Sequence, residues 1–541
     1  MRKFLSLSVL LATGFAANAQ NVIRGPYMQI NTHESIQICW RTDVPTNSQV
    51  YYGSSPTSLV NTVDSANLAV DHRVTISGLN PSTTYYYGVG DASGVLEGGA
   101  DQYRFKTHPT PGDIEPFRVW CIGDFGKGNT GQMEVWRSYM EWTDTVNTDV
   151  WLWLGDNAYP DGTDQEYQDY AFTPYDSIMD FLPFYPTPGN HDYNSVNRFD
   201  PPDQHVGPYF DIVEVPTNGE AGGTPSGTEL FYSFDYGNTH FISLNSEIQA
   251  WTASSSTPMT QWLEQDLQAN DKEWVVAFFH QPPYSKGSHD TDDFWEILMI
   301  AMRQNILPIL EDYGVDLVIG GHSHVYERSM LIKEHYNFSL FFGAANIVDG
   351  SSGNFDQGEH YEKFLSAGNE GTIYIVNGNS GSKDDDPDLD HPIMVATDGG
   401  NDGYGSFVFD VNGNRLDGYY ITEDGDVEDR FTIIKPDGTT GSTVGIKPEE
   451  SLPDVRNIQL FPNPVKENAS ITFDMMAAHD VSIFVQDVSG KRVAEVYNGS
   501  LSAGQHQMEL GDAVSELKAA SYWLVIDYGD RRRTLGFTKA N

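Results

Sequence analysis

Cysteine is nearly absent from this chain, with 2 among 541 residues. Cys39 and Cys121 stand in strand-like runs of different regions, which fits two buried free thiols and not a disulfide framework. Basic residues are also scarce: 31 Lys and Arg face 76 Asp and Glu, a formal net charge of −45. That balance argues against a nucleic-acid polymer as partner, because displacing counterions from a phosphate backbone needs a basic face. A small anionic ligand would have to be drawn in by a local field, not by the overall charge. Long apolar runs are missing as well. Past the amino terminus nothing approaches the ~20 continuous apolar residues of a membrane span, so no transmembrane segment is expected.

The amino terminus has a charged head, MRKF, a short apolar core, LSLSVLLATGFAA, and small residues at Ala17, Asn18 and Ala19. It reads as a signal peptide over 1–19, with the mature chain starting near Gln20. The length exceeds what one core supports, and three or four domains are expected. From 20 to 107, runs such as SIQICWRT, SQVYYG, HRVTISGL and TYYYGVG alternate apolar and polar residues between Pro, Gly and Asn turns. This is the pattern of a β-sandwich. LNPSTTY at 79–85 resembles the tyrosine corner of fibronectin type III-like domains. HPTPGDIEP at 108–116 reads as a linker. The region 117–430 mixes buried strand runs with helix candidates near 131–142, 164–181, 259–269 and 293–312, an α/β sandwich. A polar linker at 436–453 then precedes short strands over 454–541, a small carboxyl-terminal β-sandwich.

The chemistry is carried by five segments of the central region: GDFG at 123–126, GDNAY at 155–159, GNHD at 189–192, FFHQPP at 278–283 and GHSH at 321–324. Four follow apolar runs, FRVWCI, VWLWL, WVVAFF and VDLVI; GNHD follows the weaker PFYPTP. Polar residues placed where a buried strand ends sit at the carboxyl edge of a sheet, where open α/β folds bind ligands. The side chains offered are Asp124, Asp156, Tyr159, Asn190, His280, His322 and His324. Oxygen and nitrogen donors without a thiolate suit hard or borderline cations. Seven donors exceed one tetrahedral site, and a carboxylate can bridge two ions, so a dinuclear centre with Asp156 as the bridge accounts for the set.

In these motifs the chain resembles the purple acid phosphatases, a branch of the calcineurin-like metallophosphoesterases, whose pattern DxG, GDxxY, GNH followed by an acid, VxxH and GHxH occurs here in order. One position departs: Ala277 stands where VxxH has Val. The resemblance implies that Asp124, Asp156, Tyr159 and His324 hold one ion, Fe(III), and that Asp156, Asn190, His280 and His322 hold a divalent Fe, Zn or Mn. It also implies catalytic roles for His191 and His289 in orienting substrate or protonating the leaving group. The implied activity is that of a secreted acid phosphatase, hydrolysing small phosphate monoesters by in-line attack of a metal-bound hydroxide. The rival enzyme is a phosphodiesterase or nucleotidase on the same core, decided by the loops at 193–228 and 284–295. A rival of another class is a non-catalytic cell-surface binding protein. FPNP at 461–464 and the strands after it resemble the sorting domain of the type IX secretion machinery, which implies a secreted or cell-surface protein.

Duller readings apply elsewhere. KDDDPDLD at 383–390 and EDGDVED at 423–429 lack EF-hand spacing and read as solvated loops. His205, His240, His335 and His391 read as surface or core polar residues.

Overall fold

The computed structural model describes residues 20–143, 147–193, 205–248, 252, 254, 256–365, 369–384, 389–398, 403–441 and most of 455–539. The signal-peptide reading at 1–19, the linker over 442–453, the PNP of FPNP and the centre of KDDDPDLD lie outside the described residues. Two compact units divide the chain, one holding Met1–Ser138 with Asn147–Ile446, the other Tyr139–Val146 with Lys447–Asn541.

In the first unit, the amino-terminal strands Val22–Gln29, Ser35–Gly53, Asn61–Ser77, Thr84–Asp91, Gly94–Gly98 and Arg104–Lys106 pair continuously. SIQICWRT and SQVYYG, read as separate strands, are one strand of 19 residues. Its first half pairs with Val22–Gln29 and its second with Thr84–Asp91, and register shifts between Arg41 and Ser48 separate the halves. Pro45 falls in that irregular stretch, where a missing N–H is tolerated and a bulge bends the strand. The two halves enclose Met28, Ile36, Ile38, Trp40, Val50, Tyr87 and Phe105. The tyrosine corner forms: the Asn80 amide donates to the Tyr85 hydroxyl at 3.0 Å. Arg24 and Arg41 both reach Asp164 of the central region, at 3.0 and 2.6 Å, fixing this domain beside it. Cys39 and Cys121 are buried free thiols.

The central region contains two seven-stranded sheets among the described residues. One runs Tyr232–Tyr236, Thr239–Ser243, Trp274–Phe278, Leu317–Gly320, Ile373–Asn377, Tyr326–Ser329, Met394–Thr397. The other runs Tyr361–Glu362, Val427–Ile434, Arg415–Thr422, Gly405–Asn412, Phe117–Ile122, Val150–Trp153, Phe184–Pro186. They pack together through Phe117 against Tyr236, ring centres 4.8 Å apart, and Tyr326 stacked on Tyr420 at 3.9 Å. Helix Pro258–Ala269 and the helical run Ile297–Asp312 bury Trp262, Leu263, Met302, Ile306 and Leu310 against Ile242, Val275 and Val318.

Three expectations are corrected. Strand Val427–Ile434 carries the domain past the boundary at 430. The helix over 293–312 begins at Ile297, and its centre, Met302–Ile306, widens to a π-turn ahead of Pro308, whose ring nitrogen has no proton to donate. EDGDVED is not all solvated: Asp429 is buried and accepts from Arg328 at 2.6 and 2.9 Å, tying one sheet to the other. His205, His240, His335 and His391 are all buried.

The second unit pairs Val455–Phe461, Ser470–Met475 and Gly504–Glu509 in one sheet, and Arg492–Leu501, His479–Asp487, Ser521–Tyr528 and Arg531–Thr538 in another. Ile471, Phe473, Ile483, Val485, Leu524 and Ile526 form their shared core.

Candidate metal centre

Each of the five motifs begins at or just beyond the carboxyl end of a buried strand. Asp124 follows Phe117–Ile122, Asp156 follows Val150–Trp153, Asn190 follows Phe184–Pro186, His280 follows Trp274–Phe278 and His322 follows Leu317–Gly320. Parallel pairing brings the ends of neighbouring strands together. Asp124, Asp156 and His322 have φ of 55°, 51° and 67°. Side-chain-bearing residues seldom occupy that left-handed region, which aims each group sharply off its strand. The motif glycines leave the room: a Cβ on Gly189 would stand 2.2 Å from Asp156 Oδ1, and one on Gly321 2.5 Å from Asp124 Oδ2.

The candidate donors converge. The Tyr159 hydroxyl oxygen is 3.0 Å from Asp124 Oδ1, 2.9 Å from Asp156 Oδ2 and 3.4 Å from His324 Nε2. The other Asp156 oxygen, Oδ1, is 3.3 Å from His280 Nε2, which lies 3.3 Å from Asn190 Oδ1. His280 donates from Nδ1 to the Leu154 carbonyl at 2.9 Å, so Nε2 turns its lone pair inward whenever that ring is neutral. The His322 ring is centred 5.0 Å from that of His280, and its amide donates to Asp124 Oδ2 at 2.7 Å. Donor atoms of Asp124, Asp156 and His280 all fall within 4.8 Å of one another.

The electrostatics fit a cation. Burial pushes the Asp156 carboxyl up, but the His280 and His191 imidazoles outweigh it and hold it below the usual carboxylate range. Burial disfavours charge on His280, yet Asp156 and Asp124 raise its pKa well above the ordinary value. Burial and the same two carboxylates push the Tyr159 phenol well up. His322 is driven well down by burial and by His280 and His289. The proton on His280 thus sets a positive charge beside two packed carboxylates while the Tyr159 phenol stays neutral, and metal ions would displace both protons.

The two candidate catalytic histidines flank this set. His191 donates from its amide to Asp156 Oδ1 at 2.8 Å, and its half-exposed ring places Nε2 3.9 Å from Asp156 Oδ2. Its Nδ1 lies 2.5 Å from the Pro160 carbonyl. His289 stacks on His322 with ring centres 3.8 Å apart, and its Nδ1 lies 2.8 Å from Glu296 Oε1. Sequence reasoning missed Glu296, seven residues after His289 in a run that resembles any polar turn. It also missed the Lys127 ammonium, 4.2 Å above the Tyr159 ring, and Ser382, whose hydroxyl donates to the Asp124 carbonyl at 2.9 Å. Asp192, the acid of GNHD, is buried. It accepts hydrogen bonds from Gly189 N at 2.7 Å and Asn157 Nδ2 at 2.9 Å, locking the Asn190 turn against the Asp156 turn. Burial, with Asp156 nearby, raises its carboxyl to about 7.

This geometry agrees with the family models that match the chain: Calcineurin-like phosphoesterase over residues 117–326, Purple acid Phosphatase, N-terminal domain, over 25–107, and Secretion system C-terminal sorting domain over 459–535. The chain is similar to the purple acid phosphatases in its amino-terminal and central regions. Relatives include Acid phosphatase type 7 of Homo sapiens, 29% identical over 359 residues, 59% of this chain and 75% of the relative. Purple acid phosphatase 23 of Arabidopsis thaliana is 30% identical over 312 residues, 53% of this chain and 63% of that protein. The chain thus spans somewhat under two thirds of this plant relative. Among solved structures, purple acid phosphatase PPD1 from yellow lupin (Lupinus luteus) seeds superposes with a TM-score of 0.57 at 19% identity, covering 77% of this chain and 74% of that one, a likeness of fold. The chain carries a sorting domain and is a secreted or cell-surface protein. No helix among the described residues is long and apolar enough to cross a membrane.

Proposed function

We propose that the protein is an acid phosphatase that hydrolyses small phosphate monoesters at a dinuclear metal centre and is exported by the type IX secretion machinery. Asp124, Asp156, Tyr159 and His324 would hold one ion, Fe(III), and Asp156, Asn190, His280 and His322 would hold the other, a divalent Fe, Zn or Mn. The observation that carries this reading is the division of Asp156. Its Oδ2 faces Tyr159 at 2.9 Å while its Oδ1 faces His280 at 3.3 Å, so one carboxylate addresses both donor sets. A pair of bound ions supplies an ionised water near neutral pH and neutralises charge on the phosphate oxygens.

The chain's own residues do the rest. Asn190 and His280 confine the carboxylate side, and Asp192 keeps the Asn190 turn in register with the Asp156 turn. His191 turns Nδ1 toward the Pro160 carbonyl and presents its partly exposed Nε2 to the site. His289 sets Nδ1 against Glu296, which fixes the ring where it stacks on His322. Either ring is placed to give a proton to a departing alkoxide.

The deciding experiment measures metal content and the visible spectrum of the purified protein, beside hydrolysis of matched monoester and diester substrates. Two ions per chain, an iron–phenolate band and a monoester preference are expected. A large diester preference would instead mark a phosphodiesterase, and a chain that binds no metal would be a scaffold.

A further inference from the structure

Three residues after Asp124 stands a lysine to which the donor set gives no part. The Lys127 ammonium nitrogen lies 4.2 Å from the centre of the Tyr159 ring. Other lysines of the first unit sit against carboxylates: Lys272 on Asp235 at 3.4 Å, Lys286 on Asp290 at 2.8 Å, and Lys363 and Lys435 on Asp316 at 2.9 and 2.7 Å. Among the described residues no carboxylate oxygen comes within ion-pair distance of Lys127, although the chain holds 76 acidic residues against 31 basic ones.

The backbone that carries it is held in place. The Lys127 and Gly128 amides both donate to Gln132 Oε1, at 3.2 and 2.7 Å, and Gln132 Nε2 donates to the Tyr170 carbonyl at 2.7 Å. The Tyr159 amide donates to the Gly126 carbonyl at 2.8 Å, so the turns bearing the lysine and the tyrosine are bonded to each other. The side chain alone is left to swing, on a four-carbon stem with three donors at its tip. Lys127 is half-buried. His191 shares the tyrosine ring with it, centred 4.4 Å from that ring and presenting Nε2 3.9 Å from Asp156 Oδ2. A lone positive charge thus stands within one aromatic ring's breadth of the donors, beside the place a phosphate takes in the reading above.

We infer that Lys127 is a phosphate-binding residue: its ammonium donates to a phosphoryl oxygen and favours the dianion of a monoester over the monoanion of a diester. This rests on the phosphatase reading and adds to it the residue that senses substrate charge. A monoester carries close to two negative charges above a pKa of about 6, whereas a diester carries one. A unit positive charge outside the metal pair therefore gains more from the monoester. An ammonium supplies that charge without taking a coordination position from water.

The test uses the full chain loaded with zinc, cleared of unbound metal and held at pH ~7.5, above the phosphate pKa. Calorimetric titration with inorganic phosphate should show Lys127→Met binding it at least about 5-fold more weakly, the weight of one unit charge at ~4 Å even in bulk water. Lys127→Arg should retain most of the affinity. The ratio of kcat/KM for p-nitrophenyl phosphate to that for bis(p-nitrophenyl) phosphate should fall by a similar factor in Lys127→Met. Unchanged phosphate affinity with an unchanged ratio overturns the inference and leaves the phosphatase intact. Fewer than two zinc ions per chain in Lys127→Met, beside two in the wild type, also overturns it and makes the lysine a support for Tyr159. A wild type that cleaves neither ester overturns the phosphatase reading, and the phosphate titration of the same chain then still decides Lys127.

Discussion

The Tyr159 hydroxyl lies 2.9 Å from the Asp156 carboxylate and, on its other side, 3.0 Å from Asp124. With ferric iron bound through this oxygen, Tyr159→Phe is expected to abolish the visible charge-transfer band while leaving the far-ultraviolet dichroism unchanged. Removing the ions from the wild-type protein with a chelator should bleach the same band, and restoring iron should return it.

His191 and His289 compete for one role, and leaving-group dependence separates them. Replacing the true proton donor by Ala should lower kcat about 10²-fold or more for an alkyl phosphate, and far less for p-nitrophenyl phosphate, whose phenolate departs without help. Glu296→Gln should reproduce part of the His289 effect on the alkyl phosphate and spare p-nitrophenyl phosphate. An equal loss on both esters, or none, would reduce Glu296 to a loop brace.

Gly189 touches no substrate in this reading, yet Gly189→Ala should cost metal. The added carbon would meet Asp156 Oδ1 at 2.2 Å and the Asp156 amide nitrogen at 2.3 Å. Metal analysis of the folded variant should show fewer than two ions per chain. Two retained ions would show that the turn can yield.

His240 sets an alkaline limit on stability. Burial disfavours its charge, but hydrogen bonds to Asp235 at 2.7 Å and Asp266 at 2.9 Å raise its pKa to about 9. Lys272 also faces Asp235, at 3.4 Å. A folded-state pKa above the unfolded value of about 6.5 means that the stabilisation is complete below that pH and is lost as pH climbs through about 9. Denaturant titrations from pH 6 to 10 should show that decline, and His240→Gln should flatten it.

Arg328 joins the two sheets through Asp429, with both side chains buried. Arg328→Ala leaves that carboxylate unpaired and should destabilise the protein by about 3–5 kcal/mol. Metal content of the folded fraction should be unaffected. A cost under about 1 kcal/mol would mean that water replaces the guanidinium.

The donors were legible because catalysis at a sheet edge writes itself locally: an apolar run, then glycine, then a polar side chain. Asp124, Asp156 and His322 all follow that grammar, His280 follows its apolar run directly, and the structure gathers them. Glu296 did not show, since its partner is chosen by a loop's return and not by spacing. Asp429 reads as a solvated charge because EDGDVED is an acidic run without ion-binding spacing. Only the strand alternation of Val427–Ile434 turns it inward, toward an arginine 101 positions away. The strand from Ser35 to Gly53 was divided in two because Pro45 reads as a breaker, whereas a bulge absorbs it.

The left-handed backbones of Asp124, Asp156 and His322 have a consequence for exchanging these residues. Turns anchored in sheet ends aim the three groups, so Asn at either aspartate keeps a residue that tolerates the conformation, whereas a β-branched one would have to move the turn itself.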